Sequence, residues 1–543
     1  MPAIDLKTIG GEAPAALVEC DICIVGSGPA GSTIAKELSG SGLRVTLLES
    51  GEFARSPEAD SLNEIENIGR ARVPDQWAVR NRIVGGSSHT WGGRCAPLDA
   101  IDFEVRDWVP DSGWPISPAD LEPYLDRSAA HLGLAVGSGF SDEQFWTLSG
   151  REPPKSAPDP RALLPFFWQF SRDPEESYPF EYMRFGRSLA DRLGPNVSLV
   201  TGATVVGVNP VESGRAVRSV AFAGPDGRRR TLAARNVVLC AGGIENARIL
   251  LSSDSVSPKG LGNDRDLVGR YLMDHLRGPG GSFAIRGSDQ LQRRFGRYTV
   301  QGRLFRAGLR LSPKIQREEG LLNCAAWLGE VVSTSDPWDA LRRVIGGAAR
   351  MPQDAMAIAA GAGFFLRGVK QHLSDRNGIP RKLQELNLDC MCEQRPDADS
   401  RVTLSNMRDR FGVRLSRVDW RSHPDESRSM RRMAQLVAEE LPRMGLPELS
   451  LAPWVRDEAD FPDSFRDVAH PTGTTKMSET AARGVVDANC RVHGVEGLYV
   501  SGSSVFPTVG HCNPTQMIVA LSVRLADHLR VRARVVEREA AFG

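Results

Sequence analysis

The segment Gly26-Ser27-Gly28-Pro29-Ala30-Gly31 constrains this chain more than any other. It follows a short apolar run, Asp21 to Val25, and opens a helical pattern from Ala30 to Leu38 with Ile34, Ala35 and Leu38 on one face. A second apolar run, Arg44 to Leu48, ends at Glu49, 23 residues beyond Gly26. The order is strand, glycine turn, helix, strand, the beginning of a βαβ unit. Gly26 permits the tight turn, Gly28 lets a pyrophosphate approach the backbone, and Gly31 lets helix and strand pack closely. The helix start would face the phosphates with its unpaired N–H groups and positive dipole end. Glu49 is placed to accept hydrogen bonds from a ribose. A plain turn explains neither Glu49 nor the order of elements, so the chain is read as binding a dinucleotide.

A second glycine-rich stretch, Gly85-Gly86-Ser87-Ser88-His89-Thr90-Trp91-Gly92-Gly93, is too long and too polar for an ordinary turn. Its backbone N–H groups and small side chains can wrap a large cofactor. No second G-x-G-x-x-G leads from a strand into a helix, so one dinucleotide is expected. Val197 to Val208 and Asn236 to Leu239 are β-branched runs of strand type, and Asn246 to Leu251 looks helical. Between about 280 and 462 the texture changes to alternating segments and helical stretches, notably Glu426 to Leu441, which suits an antiparallel sheet with one covered face. Glycine turns and buried strands return from Ala469 to Arg530. The reading is a nucleotide domain interrupted by a substrate domain. Its parts are 16–100 and 196–278 for the nucleotide, 101–195 as a mixed cap, 279–462 for substrate, and 463–535 for nucleotide and catalysis.

Lys+Arg and Asp+Glu are both 67 in 543 residues, so no global field holds nucleic acid or an anionic membrane. No run reaches the ~18 apolar residues of a membrane-spanning helix. The nearest, Ala355 to Leu366, is read as a buried helix, with a surface-docking segment as the alternative. The insert 331–380 around it is read as surface packing, or else as a pocket cover or partner surface. The start of the chain lacks a secretory pattern, and nine Cys is an odd number. Both point to reduced, buried thiols in a cytoplasm. Cys20 and Cys23 fall on a strand, where positions three apart face opposite ways, and Cys390 and Cys392 lack a second ligand pair with zinc spacing. All four are read as structural, and no metal site is expected.

Four blocks resemble the glucose–methanol–choline (GMC) oxidoreductase family: Cys23 to Gly51, Val84 to Gly93, Val237 to Leu251, and His470 to Leu529. The last is the most specific, with His470-Pro-Thr-Gly-Thr-Thr-Lys-Met477, Leu498-Tyr-Val-Ser-Gly-Ser503 and Asn513-Pro514-Thr515. Gly269 to His275 also looks like a family segment. The resemblance implies an α/β fold: an FAD-binding Rossmann-like domain with an interrupting α+β substrate domain on an antiparallel sheet. It implies that FAD takes a hydride from an alcohol carbon at flavin N5. It places the cofactor against Gly26, Ser27, Gly28, Pro29, Ala30, Gly31, Glu49, Ser50, Gly86, Ser87, Thr90, Trp91, Gly92, Gly93, Val205, Ala241, Gly242, Gly502, Ser503, Asn513, Pro514 and Thr515.

Alcohol oxidation needs a base near the hydroxyl, and histidine suits it because its ordinary pKa is ~6.5. The family's catalytic histidine matches His470 and its partner position matches Asn513, whose amide can hold the substrate oxygen. His511, two residues earlier, is the rival for substrate contact. Some relatives attach flavin covalently to a histidine four residues after the Gly-Gly pair; here that place is Thr90 and His89 is one short, so non-covalent FAD is expected. Many relatives carry Asp before the Gly-Ser pair where this chain has Ser501, which leaves the redox potential open. Sugar-type alcohols fit the Asn513-Pro-Thr motif, and a smaller primary or secondary alcohol remains. The alternatives are a lyase with structural FAD and a non-catalytic flavin-binding protein. With no haem or cluster motif, electrons leave to an external acceptor: oxygen, a quinone or an electron-transfer protein.

Overall fold

The computed structural model describes residues 3–9, 14–135, 140–173, 181–370 and 381–542, the last nine of these by backbone only. Its first sheet has eight strands. The path runs Ile4–Asp5, Val197–Thr201, Val45–Leu48, Glu19–Val25, Arg229–Leu239, Val217–Ala223 and Thr204–Pro210, with Leu498–Val500 added beside Arg229–Leu239. The centre is parallel: Val25 pairs with Leu48 and with Leu239, and Leu239 also pairs with Val500. The carboxyl ends of four strands therefore align, and the chain leaves them at Gly26, Glu49, Cys240 and Ser501. Cys23 and Ile24 are fully buried, as expected of a parallel strand covered on both faces.

Helix Pro29–Glu37 follows Gly26–Gly28. Pro29 takes the first helical position, where its missing N–H costs nothing, and Gly28 caps without a side chain. Gly31 has no alternative: an added Cβ would stand 1.8 Å from the Gly26 carbonyl oxygen. The strand-type run from Val197 to Val208 is two strands, because Gly202 turns the chain at φ +70° between Thr201 and Thr204.

The second sheet has nine strands and is antiparallel. Its path is Ser450–Leu451, Leu276–Ser282, Leu383–Cys392, Cys324–Val332, Arg303–Leu311, Leu163–Phe170 and Arg94–Cys95, with Arg297–Val300 added beside Arg303–Leu311 and Arg466–Asp467 beside Leu276–Ser282. Alternation divides it cleanly. Leu388 and Ala326 pack with Val437 and Leu441 of helix Pro424–Arg443. Phe166, Trp168, Ala325, Trp327 and Met391 form the opposite, mostly aromatic face. That face looks toward the carboxyl ends of the parallel strands. A small third sheet joins Arg401–Arg408, Arg414–Asp419 and Ile65–Asn67.

One expectation fails. Ala355 to Leu366 is not a buried helix but parts of two surface helices, Gln353–Ala360 and Ala362–Lys370, with Met356 62 % and Leu366 75 % exposed. Gly361 breaks the helix, so the apolar residues never line up as one stripe. Of the surrounding insert, 371–380 lie outside the described residues. Among the described residues no helix is long and apolar enough to cross a membrane.

Candidate active site

A cleft of about 580 Å³ runs from the strand ends to the aromatic face of the second sheet. Gly26, Gly28, Pro29, Ala30, Glu49, Ser50, Gly86, Ser87, Thr90, Trp91, Gly92, Gly93, Val205, Ala241, Gly242, Gly502, Ser503, Pro514 and Thr515 line it, as do His470 and Asn513. Two residues read as cofactor contacts stand behind the wall instead. Ser27 is fully buried, and its N–H and hydroxyl donate to Glu49 Oε2 at 2.9 and 2.6 Å. Gly31 is buried in the strand–helix contact.

Ser27 joins the two glycine loops, since its hydroxyl oxygen also accepts from Gly85 N–H at 3.0 Å. An added Cβ on Gly86 would come within 2.9 Å of Gly28 Cα. The loops therefore approach as closely as backbone allows. At Gly28, Gly92, Gly242 and Gly502 the opposite holds: a Cβ there would meet nothing within 4 Å. These glycines keep a cradle open along the cleft, as a flat, extended cofactor requires. Beneath it, Glu245 accepts from Arg80 at 2.9 Å and Arg82 at 2.8 Å, and from Arg248. Burial would raise Glu245, but the three guanidinium groups hold it down to about 2.

The far end holds His470. Its Nε2 lies 3.2 Å from Asn513 Nδ2, and its Nδ1 lies 3.0 Å from His275 Nδ1. His275 Nε2 faces the Gly510 carbonyl at 2.9 Å. A carbonyl only accepts, so His275 carries its proton on Nε2 and offers the lone pair of Nδ1. His470 must then carry its proton on Nδ1, which leaves Nε2 unprotonated, with its lone pair facing the Asn513 amide. The tautomer follows from the partners. Burial pushes His470 well below the ordinary histidine value, with the charges of His275 and Arg94 adding to it, and burial lowers His275 as well. Both rings are neutral at neutral pH, as a base requires.

The backbone around His470 is held by a buried ion cluster. Asp274 Oδ1 accepts from the N–H groups of His275 at 2.8 Å and His470 at 2.9 Å. Arg72 Nη2 bridges Asp274 and Asp467, 2.8 Å from each. Sequence reasoning assigned no role to Arg72, Asp274, His275 or Arg94. Only the Asp274-His275 pair inside the Gly269–His275 segment offered a signal.

His511 does not line the cleft. It is 1 % exposed, 3.3 Å from Asp99 Oδ2, with Phe166 against its ring. Asn513, two residues before the helix that starts at Thr515, reaches His470 instead. His89 is also turned away: its Nε2 is 2.9 Å from the Val84 carbonyl.

Residues 396–522 match the family model described as GMC oxidoreductase, and residues 19–136 match an FAD binding domain. The chain is 24% identical over 555 residues to 6'''-hydroxyparomomycin C oxidase of Streptomyces lividus, covering 94% of this chain and 92% of that protein. It is 24% identical over 579 residues to 2-methyl-1,2-propanediol dehydrogenase of Mycolicibacterium austroafricanum, covering 95% and 96%. Among solved structures, pyridoxine 4-oxidase from Mesorbium loti superposes with a TM-score of 0.55 at 18% identity, over 94% of this chain and 99% of that one. Fold, glycine cradle and matched domains define an FAD-dependent oxidoreductase. The chain carries the domain described as GMC oxidoreductase at 396–522 together with an FAD binding domain at 19–136.

Proposed function

We propose that the protein oxidises an alcohol carbon, with His470 Nε2 taking the hydroxyl proton. The unprotonated Nε2, set by the chain of hydrogen bonds donated from His470 to His275 and on to the Gly510 carbonyl, is the observation that carries this reading. FAD, when bound in the glycine cradle, supplies the acceptor for the hydride. Asn513 holds the alcohol oxygen beside His470 and fixes the direction of the proton. As His470 gains that proton its charge strengthens the Nδ1–H bond to His275, which helps to stabilise the cation. The substrate is a small polar alcohol of the sugar, glycoside or diol kind, in keeping with the names of the relatives. Electrons then pass to an external acceptor: oxygen, a quinone or an electron-transfer protein. FAD binds without a covalent bond, because His89 is tied to the Val84 carbonyl and Thr90 Oγ1 to Asn81. The nine cysteines are all unpaired and buried, which supports a cytoplasmic setting.

Anaerobic titration of the holoenzyme with sugars, glycosides and aliphatic or aryl alcohols tests this. Bleaching of the flavin by one class is the expected result. His470→Ala is expected to keep its flavin while the reduction rate falls by ~10²–10⁴, the range of general base catalysis. Flavin that dithionite reduces but no alcohol does would turn the reading toward a lyase.

A further inference from the structure

The cleft carries its charges unequally. Its two lining carboxylates, Glu49 and Glu245, both stand at the nucleotide end. Arg80 and Arg82 line that end too and pair with Glu245, whereas on the second-sheet side the charged lining residues are Arg94, Arg277 and Arg297. Arg277 is neutralised by an ion pair with Asp389. Among the described residues neither Arg94 nor Arg297 has a carboxylate partner.

Arg94 is the one that needs explaining. It opens the short strand Arg94–Cys95 on the aromatic face, partly buried. Its guanidinium carbon lies 5.0 Å from the Trp327 ring and 5.6 Å from the Trp168 ring. Arg277 lies 5.1 Å from the same Trp327 ring. One buried indole thus serves two guanidinium groups. An aromatic face attracts a cation but does not replace a carboxylate, and an arginine stays charged in any protein environment. Burial first, and then its charged neighbours Arg306, Arg277 and Arg297, disfavour its charge, while Asp389 acts the other way. A planar fork of donors with no carboxylate partner among the described residues is therefore held at the substrate end, near enough to His470 to bear on that ring. The fork fits a carboxylate bidentately.

We propose that the substrate is an anionic alcohol, one that carries a carboxylate as well as the reacting hydroxyl, and that Arg94 binds the carboxylate while Arg297 adds charge at the mouth. This rests on the alcohol reading above. It sets a limit on the sugar class: uronates and hydroxy acids fit, whereas an amino sugar meets like charge.

Binding can be read without turnover. The holoenzyme is titrated with 4-fluorobenzoate, 4-fluorobenzamide and 4-fluorobenzylamine, followed by fluorine NMR. The benzoate is expected to bind at least ~10-fold tighter than the amide, with the amine weakest. The preference collapses in Arg94→Gln, survives in part in Arg94→Lys, and weakens in Arg297→Gln, a change at an exposed residue. Equal binding of anion and amide, or a preference that Arg94→Gln leaves intact, overturns the proposal. So does an Arg94→Gln enzyme that shifts only its flavin potential, since Arg94 would then serve the cofactor. Reduction by 4-(hydroxymethyl)benzoate and its amide separates the two readings. Anion preference with no bleaching by any alcohol sinks the alcohol reading and leaves Arg94 only as a carboxylate site; bleaching without charge preference sinks the anionic-substrate proposal alone.

Discussion

His275 decides what His470 can do, although it never faces the cleft. His275→Phe keeps a flat ring of similar size but removes the acceptor for the Nδ1 proton. His470 is then free to turn or to carry its proton on Nε2, where it cannot act as a base. Loss of such an orienting partner commonly costs ~10–100-fold, and stopped-flow flavin reduction should fall in that range. A purely structural role would leave the pH profile unmoved, so the profile is part of the test. In the native enzyme the depressed value of His470 keeps the base active at neutral pH, and the reduction rate is expected to fall only below the ordinary histidine range. Stability follows the same groups with a defined sign. Between ~6.5 and the lowered folded values of His275 and His470, the unfolded chain binds more protons. Their contribution is therefore lost as pH falls through that window, and thermal melts should show it. The residue scale is also where the sequence was least legible. His275 and Arg94 acquire their roles from partners hundreds of positions away, and nothing in their local pattern marks them.

At the scale of elements, the strand–turn–helix around Gly26 was readable because its constraints are local. Gly31→Ala would put a methyl group 1.8 Å from the Gly26 carbonyl oxygen, so helix Pro29–Glu37 must lift from its strand. The purified variant is expected to contain little flavin and to melt several degrees lower, which absorbance and calorimetry would show; full flavin occupancy would refute the close-packing account. Glu49, by the same local logic, lands at its strand end. Ala355 to Leu366 shows where that logic stops. Its apolar residues look like a core helix, but burial depends on what a segment meets, and two short helices broken at Gly361 meet little. Ser27 and Gly31 make a related point. The motif located the cradle, yet side-chain direction and packing sent these two residues behind it.

For the molecule as a whole, Arg72 is the tie between layers. It joins the loop after the third sheet's strand Ile65–Asn67 to Asp274 at the start of the second sheet and to Asp467 just before His470. Arg72→Met leaves two buried carboxylates without their cation. Breaking such a buried cluster costs about 3–5 kcal/mol. Chemical denaturation should show a loss of that size, and the deficit should grow as pH rises and Asp467, whose value burial raises, ionises. A loss confined to activity, with unchanged stability, would mean that the cluster does not bind the layers together.

The strand Leu498–Val500 fills the parallel sheet beside Val237–Leu239, which is made from chain less than halfway along. Until the later strand arrives, that ladder presents open N–H and C=O groups and a fully apolar flank, a template for pairing with any other chain. The order of synthesis thus leaves this edge waiting while the second sheet's strands from Leu276 onward are made. Refolding yield should fall steeply with protein concentration, and a short peptide spanning 496–502, supplied in excess during refolding, should compete for the edge and slow recovery of the native state.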